Sequence, residues 1–318
     1  MQEWSVVVLT YAIFLQFARQ IWKYLVFAII LYSVIYLIYA QVNLEPVHVR
    51  DITHETKIHN DGDVCTEKRN IFFLKIAKTG STTVQQLLLR FGLVRNLSFM
   101  LFVNKWAYPS RMFRHLLLPE PNRSTGFDGR YNILCDHTMY SESEVKQLMP
   151  QDTFYLTNLR HPFTHVKSYI NYANIFTTLN ISKKQDFLED LLSNPEQHDR
   201  VYRTRNIMAK FFGLNRNVSD LAAGDALIKQ IDANFHLVLI MERIDESLVL
   251  MKRRLCWSAK DILFLPLRVL KYKGKATGTQ EDEDSLIARH RKWSGIDYAI
   301  YDHFVRKLQV SRIKHGLT

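Results

Sequence analysis

The first forty residues are almost continuously apolar. Trp4 to Ala18 and Tyr24 to Ala40 contain no charged residue, and Arg19 and Lys23 lie between them. A helix over the second run rises about 26 Å, near the minimum for crossing a hydrocarbon core. The pattern predicts a cytosolic tail and membrane anchor in residues 1–40, with the bulk of the chain on the lumenal side because the two cations stay cytosolic. A buried N-terminal helix is the alternative, and whether Trp4 to Ala18 also spans stays open.

Residues 41–69 are polar and show no sustained periodicity. They contain His48, His54 and His59, but this spacing is poor for a metal site, and a solvated linker is the favoured interpretation. We therefore predict a stem over 41–69 and a lumenal catalytic domain over 70–318.

Beyond residue 70, short apolar runs alternate with segments of helical periodicity. The strand-like runs are Ile71 to Leu74, Asn132 to Cys135, Thr153 to Leu159 and Leu237 to Met241. Helices are predicted from Val84 to Phe91, from Pro162 to about Phe176 and from Glu246 to Leu255. This alternation predicts an α/β fold with a mostly parallel sheet flanked by helices, whose ligands bind beyond the carboxyl ends of the strands.

Composition narrows the class of partner. Hydrophobic residues make up 47% of the chain, which excludes wholesale disorder, and 42 Lys and Arg against 31 Asp and Glu give a net charge of +11. A basic surface favours an anionic partner such as a nucleotide, nucleic acid, acidic lipid or acidic glycan.

The glycosylation sequons and the cysteines bear on whether the domain lies in an oxidising, lumenal compartment. The four Asn-x-Ser sequons are weak support for a lumenal, glycosylated domain, and they lie at Asn96, Asn122, Asn180 and Asn217. Three cysteines are too few for a disulfide scaffold or a four-cysteine zinc site. One disulfide and one free thiol among Cys65, Cys135 and Cys256 is possible, and the sequence leaves the pairing open.

The strongest chemical signal lies between the first strand and the first helix of the domain. Lys75 to Thr83 supplies two lysines, four hydroxyl side chains and Gly80 at a tight turn. Backbone N–H groups at such a helix start can hold oxyanions, so the segment has the features of a phosphate cradle. It is not a Walker A motif, because the lysines precede the glycine. An ordinary helix N-terminus is the alternative interpretation.

Two further strand ends carry candidate residues. Arg160 ends the third predicted strand and Ser168 follows eight residues later, a pair able to grip a phosphate. Asp136 and His137 follow the second strand, where a histidine can act as a general base. Taken alone, Arg160 also fits a surface ion pair, and His137 fits a hydrogen-bonded structural role. Two anion sites at two strand ends favour a nucleotide with phosphates at both ends.

The sequence resembles the galactose-3-O-sulfotransferase family over roughly residue 70 to the C-terminus. The segments that carry the resemblance occur in the family's order: Phe73 to Ser81, Leu87 to Gly92, Cys135 to His137, Gln147 to Pro150, Phe154 to Arg160, Asn206 to Ala209, Phe212 to Leu214, Asp245 to Leu248, Leu255 to Trp257 and Trp293 to Phe304. The first of these looks like the family's 5′-phosphosulfate loop, and the segment ending at Arg160 looks like its 3′-phosphate site.

The resemblance implies a P-loop-like sulfotransferase fold in a single-pass type II Golgi membrane enzyme. Such an enzyme transfers sulfate from 3′-phosphoadenosine 5′-phosphosulfate to the 3-hydroxyl of a β-galactose, on a galactosylceramide-type glycolipid or a glycan. By this likeness, the phosphosulfate is held by Lys75, Lys78, Thr79, Gly80, Ser81 and Thr82, and the 3′-phosphate by Arg160 and Ser168.

One residue departs from the family pattern. The family loop reads Lys-Thr-His-Lys, whereas this chain has Lys75-Ile76-Ala77-Lys78, so the histidine expected at position 77 is absent. We expect Lys78 to stabilise charge on the leaving phosphate and His137 to act as the base, with no metal and no nucleic acid involved. A uronic-acid 2-O-sulfotransferase and a non-catalytic Golgi relative that binds glycan or nucleotide remain alternatives. A nucleotide kinase is disfavoured by the missing Walker A motif.

Overall fold

The computed structural model describes residues 56–58, 64–100, 130–172, 184–202, 204–215, 218, 220–264 and 280–314. The predicted anchor, most of the stem and the sequons at Asn122, Asn180 and Asn217 lie outside the described residues. No helix within these ranges combines the length and the apolar character that a membrane span needs.

Seven strands and eleven α-helices make up the described part of the chain. The strands are β1 (Thr56–Ile58), β2 (Val64–Thr66), β3 (Ile71–Leu74), β4 (Phe99–Met100), β5 (Ile133–Leu134), β6 (Phe154–Leu159) and β7 (Leu237–Ile240). The helices are α1 (Ser81–Val94), α2 (Glu142–Leu148), α3 (Pro162–Tyr172), α4 (Lys184–Ser193), α5 (Pro195–Tyr202), α6 (Ile207–Phe211), α7 (Leu221–Asn234), α8 (Ile244–Leu255), α9 (Ala259–Ile262), α10 (Gln280–Trp293) and α11 (Gly295–Lys314). A short 3₁₀ turn, Met241–Arg243, joins β7 to α8.

Five strands form one sheet in the order β4-β5-β3-β6-β7, and every neighbouring pair is parallel. The α/β architecture with a mostly parallel sheet flanked by helices is therefore confirmed. The four predicted strands occur within one residue of their expected ends, and Asn132 to Cys135 shortens by one residue at each end to Ile133–Leu134. β1 and β2 pair separately and antiparallel.

The central strand β3 is buried on both faces. Phe72 and Leu74 pack into the layer formed with α7 and α11, whereas Ile71 and Phe73 pack into the opposite layer with α1 and α8. A strand covered on both faces needs apolar residues at every position, which is why this segment has no polar alternation. Burying each such side chain contributes about 1.5–3 kcal/mol.

The end of the predicted stem is attached to the domain. A disulfide joins Cys65 to Cys256, the Lys68 amide donates to the Leu255 carbonyl at 2.9 Å, and the Trp257 indole donates to the Lys68 carbonyl at 3.1 Å. The division of the chain into anchor, stem and domain stays a prediction, but residues 65–69 belong to the folded part. Cys135 is buried as a free thiol.

The order of the strands positions the functional loops. The chain places β4 and β5 on one side of β3 and then crosses to place β6 and β7 on the other side. The segments that leave the carboxyl ends of β3, β5 and β6 therefore meet at one edge, which is where ligands of such sheets bind. Lys75, His137 and Arg160 all lie on these segments.

Candidate active site

The β3–α1 loop, residues 75–80, has its carbonyl groups held by surrounding side chains. Thr157 donates through Oγ1 to the Leu74 carbonyl at 3.0 Å, and His137 donates through Nδ1 to the Lys75 carbonyl at 2.8 Å. His165 donates through Nε2 to the Ala77 carbonyl at 2.7 Å. Three separate segments thus fix the first half of the loop.

The second half of the loop is held in the same way. Arg160 donates through Nη1 to the Lys78 carbonyl at 3.1 Å, and Asn158 donates through Nδ2 to the Thr79 carbonyl at 2.6 Å. The hydroxyls of Thr79 and Ser81 both donate to the Ile76 carbonyl, at 2.9 and 2.6 Å. Every carbonyl from Leu74 to Thr79 therefore accepts a side-chain hydrogen bond.

This arrangement fixes where the loop's donors point. In a trans peptide unit, the C=O of one residue and the N–H of the next point in opposite directions, and the described chain contains no cis peptide bond. The N–H groups from Lys75 to Gly80 are thus directed away from the side chains that hold the carbonyls. A run of such N–H groups leading into a helix N-terminus is an anion cradle.

Two loop residues adopt left-handed backbone conformations. Lys78 has φ 66° and Gly80 has φ 79°. This conformation favours glycine at position 80, and a Cβ atom there would also displace the end of the Met241 side chain. Lys78 has no such freedom, and its conformation costs about 1 kcal/mol that the bonds to its neighbours offset.

The two loop lysines lie on opposite sides of the cradle. Lys75 Nζ donates to Gln85 Oε1 at 2.6 Å, and Gln85 in turn donates to the Cys135 carbonyl at 2.7 Å, so this lysine is turned towards β5. Burial lowers the pKa of Lys75, and nearby Asp136 opposes that shift. The ammonium of Lys78 instead lies 4.2 Å from the ring centroid of Tyr172 on α3.

One face of α3 continues the basic site. Arg160 donates through Nε to Thr164 Oγ1 at 3.1 Å and through Nη1 to the loop, which uses two of its five N–H donors. Ser168 and Tyr172 follow Thr164 at four-residue intervals and therefore lie on the same face of the helix. Ser168 therefore lies on this face between Thr164, which Arg160 contacts, and Tyr172, which Lys78 contacts.

His137 lies on the other side of the loop. Because a carbonyl only accepts, its bond to Lys75 requires the proton on Nδ1, so the neutral ring carries its lone pair on Nε2. Burial, and secondarily the Lys75 charge, lowers the pKa of His137 below its usual 6.5. The ring is therefore neutral near pH 7 and has the tautomer of a general base.

The structure assigns different positions to the predicted loop residues. Thr79 and Ser81 are buried, and their hydroxyls shape the loop rather than face outward, so their contribution to a ligand would come through backbone N–H groups. Thr82 is exposed in the first turn of α1. Asn96, the one described sequon, is exposed after α1. The ligand roles of all predicted site residues stay proposals.

Sequence reasoning missed several residues that hold the loop. Thr157 and Asn158 are polar side chains with no exposed surface inside an apolar strand, and Gln85 and His165 lie on helices. Buried polar residues require partners, so the adjacent Thr157 and Asn158 in an otherwise apolar run were a usable signal. Nothing in the local sequence distinguishes His165 or Gln85.

A separate cavity lies elsewhere in the described part of the chain. It measures about 720 Å³ and is lined among others by Asp152, Thr153 and His236, which precede β6 and β7 and thus mark the amino-terminal edge of the sheet. Within the described ranges, no group of three or more His, Cys, Asp or Glu residues has an arrangement that could hold a metal ion.

Comparison with known proteins identifies the family. The sequence profile described as galactose-3-O-sulfotransferase matches residues 12–316. The chain belongs to the galactose-3-O-sulfotransferase family. The resemblance of the loop, central and C-terminal segments is thereby confirmed.

Several individual members of this family show about the same level of sequence identity to this chain. Human galactose-3-O-sulfotransferase 2 is 32% identical over 250 residues, which cover 75% of this chain and 60% of that protein. Mouse galactose-3-O-sulfotransferase 3 is 31% identical over 74% of this chain and 55% of its own length. Human galactosylceramide sulfotransferase is 31% identical over 76% of this chain and 57% of its own length. The chain thus spans about three fifths of the length of these relatives.

Proposed function

We propose that this protein is a galactose 3-O-sulfotransferase that takes sulfate from 3′-phosphoadenosine 5′-phosphosulfate. Family membership supports the reaction class. The observation that carries the proposal is the β3–α1 loop, in which every carbonyl from Leu74 to Thr79 accepts a side-chain hydrogen bond, so that its N–H groups are directed away from those side chains and offer a cradle for an anion beside Arg160. A second anion position, formed by Arg160 at the end of β6 and Ser168 on α3, matches a donor with phosphate at both ends.

The residues present fit the donor. The donor supplies the sulfuryl group that is transferred, and its 5′-phosphate is the leaving group that departs with the nucleotide. The loop N–H groups and Lys78 bind the phosphosulfate, and Lys78 stabilises the negative charge that develops on the phosphate. The remaining N–H donors of Arg160, together with Ser168, bind the 3′-phosphate. Thr79 and Ser81 maintain the loop's shape through their bonds to Ile76.

His137 belongs to the acceptor side in this proposal. Its Nδ1–H is fixed on the Lys75 carbonyl, so Nε2 accepts the proton of the attacking sugar hydroxyl. The names of the relatives specify galactose 3-hydroxyls and galactosylceramide, which supports a β-galactose acceptor on a glycolipid or glycan. A Golgi membrane enzyme with a lumenal catalytic domain, anchored by residues 1–40, completes the proposal.

One observation favours a second candidate function. Ala77 occupies the loop position where the family resemblance leads us to expect a histidine, and its side chain is 3% exposed. Position 77 therefore supplies no titratable group to the proposed active site. A non-catalytic relative that binds the nucleotide or glycan would tolerate this loss, whereas an enzyme must place its base elsewhere, at His137.

Titration calorimetry with 3′-phosphoadenosine 5′-phosphate tests the donor half of the proposal. The full chain in detergent should bind this nucleotide, and Arg160→Ala should bind it about ten- to hundredfold more weakly, the loss expected for a charged hydrogen bond. Adenosine 5′-phosphate, which lacks the 3′-phosphate, should lose much less affinity than the bisphosphate in Arg160→Ala, because only the bond of Arg160 to the Lys78 carbonyl then bears on its binding. Equal affinity of both proteins for the bisphosphate would remove Arg160 from the site.

A further inference from the structure

Three successive carbonyls of the β3–α1 loop are held from one direction. His165, Arg160 and Asn158 donate to the carbonyls of Ala77, Lys78 and Thr79, and all three donors come from the end of β6 or the first turns of α3. One rigid unit of the fold therefore sets the orientation of three adjacent peptide groups. Each of them also orients the N–H of the following residue.

His165 differs from the other two donors in its surroundings. It is 1% exposed, in the interior between α3 and the loop, and its Nε2 lies 2.7 Å from the Ala77 oxygen. Burying an imidazole in this position is unfavourable unless its polar atoms are satisfied. The bond is directed at the peptide group that precedes Lys78, a non-glycine residue in a left-handed conformation.

We propose that His165 is a positioning residue of the anion cradle. Its Nε2–H holds the Ala77 carbonyl so that the Lys78 N–H points towards the oxyanion of the donor. Without this bond, the Ala77–Lys78 peptide group can rotate, and Lys78 can leave its strained conformation. His165 itself contacts no ligand in this scheme. The inference rests on the proposed donor site and names the peptide group on which that site depends.

A matched control separates positioning from general packing. His290 is an equally buried histidine, 2% exposed, whose Nδ1 lies 3.1 Å from the Tyr298 hydroxyl and whose ring lies 5.9 Å from that of Phe163 on α3. None of its described contacts is with the loop. Replacing it disturbs the same interior without touching the Ala77 carbonyl.

The experiment measures binding of 3′-phosphoadenosine 5′-phosphate to the full chain by calorimetry. His165→Leu removes the donor at similar volume and should weaken binding about ten- to hundredfold. His165→Gln places an amide N–H near the position of Nε2 and should bind within about threefold of wild type. His290→Leu should also bind within about threefold, even where it lowers the unfolding temperature.

The outcomes distinguish this inference from the function on which it rests. If the wild type binds no nucleotide, the donor site is wrong and the inference falls with it. If the wild type binds and His165→Leu binds equally well, the donor site stands and the positioning role is wrong. A loss in His290→Leu as large as that in His165→Leu, or a Gln variant as weak as the Leu variant, would likewise refute positioning.

A measurement on the wild type covers the case in which His165→Leu does not fold. Labelling with ¹³C′-alanine and ¹⁵N-lysine selects the three Ala–Lys peptide groups of the chain, at Ala77, Ala209 and Ala259. The Lys78 N–H resonance, assigned by its loss in Ala77→Gly, should shift on nucleotide addition more than the other two. An unmoved Lys78 resonance in a protein that binds nucleotide would overturn the inference.

Discussion

At the scale of single residues, His137 is the group on which turnover should depend most. His137→Ala removes the group proposed to take the acceptor's proton, so kcat should fall by about 10²–10⁴-fold, whereas nucleotide affinity should fall far less, through the lost bond to the Lys75 carbonyl. His236→Ala is the control, since His236 is also a histidine of lowered pKa, although it is more exposed than His137, and it precedes β7 at the opposite edge of the sheet. Full activity of His137→Ala would refute its assignment as the base.

The same histidine determines the pH dependence. Burial lowers the pKa of His137 from 6.5, so the neutral, proton-accepting form persists to lower pH than in a free imidazole. In wild type, kcat/KM should therefore rise with pH along an acid limb centred below pH 6.5. The neutral, active form of His137 is lost as the pH falls through this lowered pKa. A limb centred above 6.5 would show that another group controls the reaction.

Lys78 and Arg160 should affect different kinetic constants. In the proposed site, Lys78 faces charge that develops during the reaction, so Lys78→Ala should chiefly lower kcat. Arg160 is proposed to bind a group that does not react, so Arg160→Ala should chiefly raise the donor KM. Losses of about ten- to hundredfold are expected for each. Lys78→Arg and Arg160→Lys, which keep the charges, serve as controls. Identical kinetic effects of the two alanine variants would contradict the separate roles.

At the scale of elements, α11 supports the acceptor side through α6. Asp297 on α11 is buried and accepts hydrogen bonds from the Met208 and Ala209 amides, 3.0 and 2.8 Å away, at the start of α6. The other end of α6 reaches the acceptor side, where the Phe211 carbonyl accepts from the Tyr140 amide and the Phe211 ring lies 6.5 Å from that of His137. Asp297 is therefore the residue that fixes the position of this helix.

Removing that carboxylate should destabilise the protein. Asp297→Ala leaves two buried amides without acceptors and should lower the free energy of unfolding by about 2–4 kcal/mol, measured by urea denaturation. Asp302→Ala on the same helix removes a partly exposed ion pair with Arg291 and should cost less than about 1 kcal/mol. Equal effects of the two variants would contradict the capping role.

The strands and the loop also show which features of the fold the sequence predicts and which it does not. β3 and β7 were predictable because strands buried on both faces require unbroken apolar runs, and β6 carries the same signal interrupted only by Thr157 and Asn158. Pro162 marked the start of α3. β4 is only two residues long and carries no periodic signal, so it was missed. The loop and its basic residues were recognisable, but the side chains that hold its carbonyls come from Thr157, Asn158 and His165, about 80 residues away along the chain, and only the fold brings them there.

At the scale of the whole molecule, the disulfide between Cys65 and Cys256 closes a loop across a sequence separation of 191 residues. Sequence alone left this pairing open, because it depends on the path of the entire domain. Cross-linking distant residues restricts the unfolded chain, so Cys65→Ser should lower the free energy of unfolding by about 2–5 kcal/mol. A reductant should destabilise the wild type to the same degree and leave Cys65→Ser unchanged. A wild type indifferent to reductant would contradict the bond.

Sulfate transfer from labelled donor to a panel of sugars tests the central claim most directly. The full chain should label β-galactosides at the 3-hydroxyl, should leave heparan and dermatan unlabelled, and should lose this activity in His137→Ala. Labelling confined to the uronic-acid polymers would indicate a 2-O-sulfotransferase instead. Nucleotide binding without labelling of any galactoside would contradict the account and establish the non-catalytic alternative.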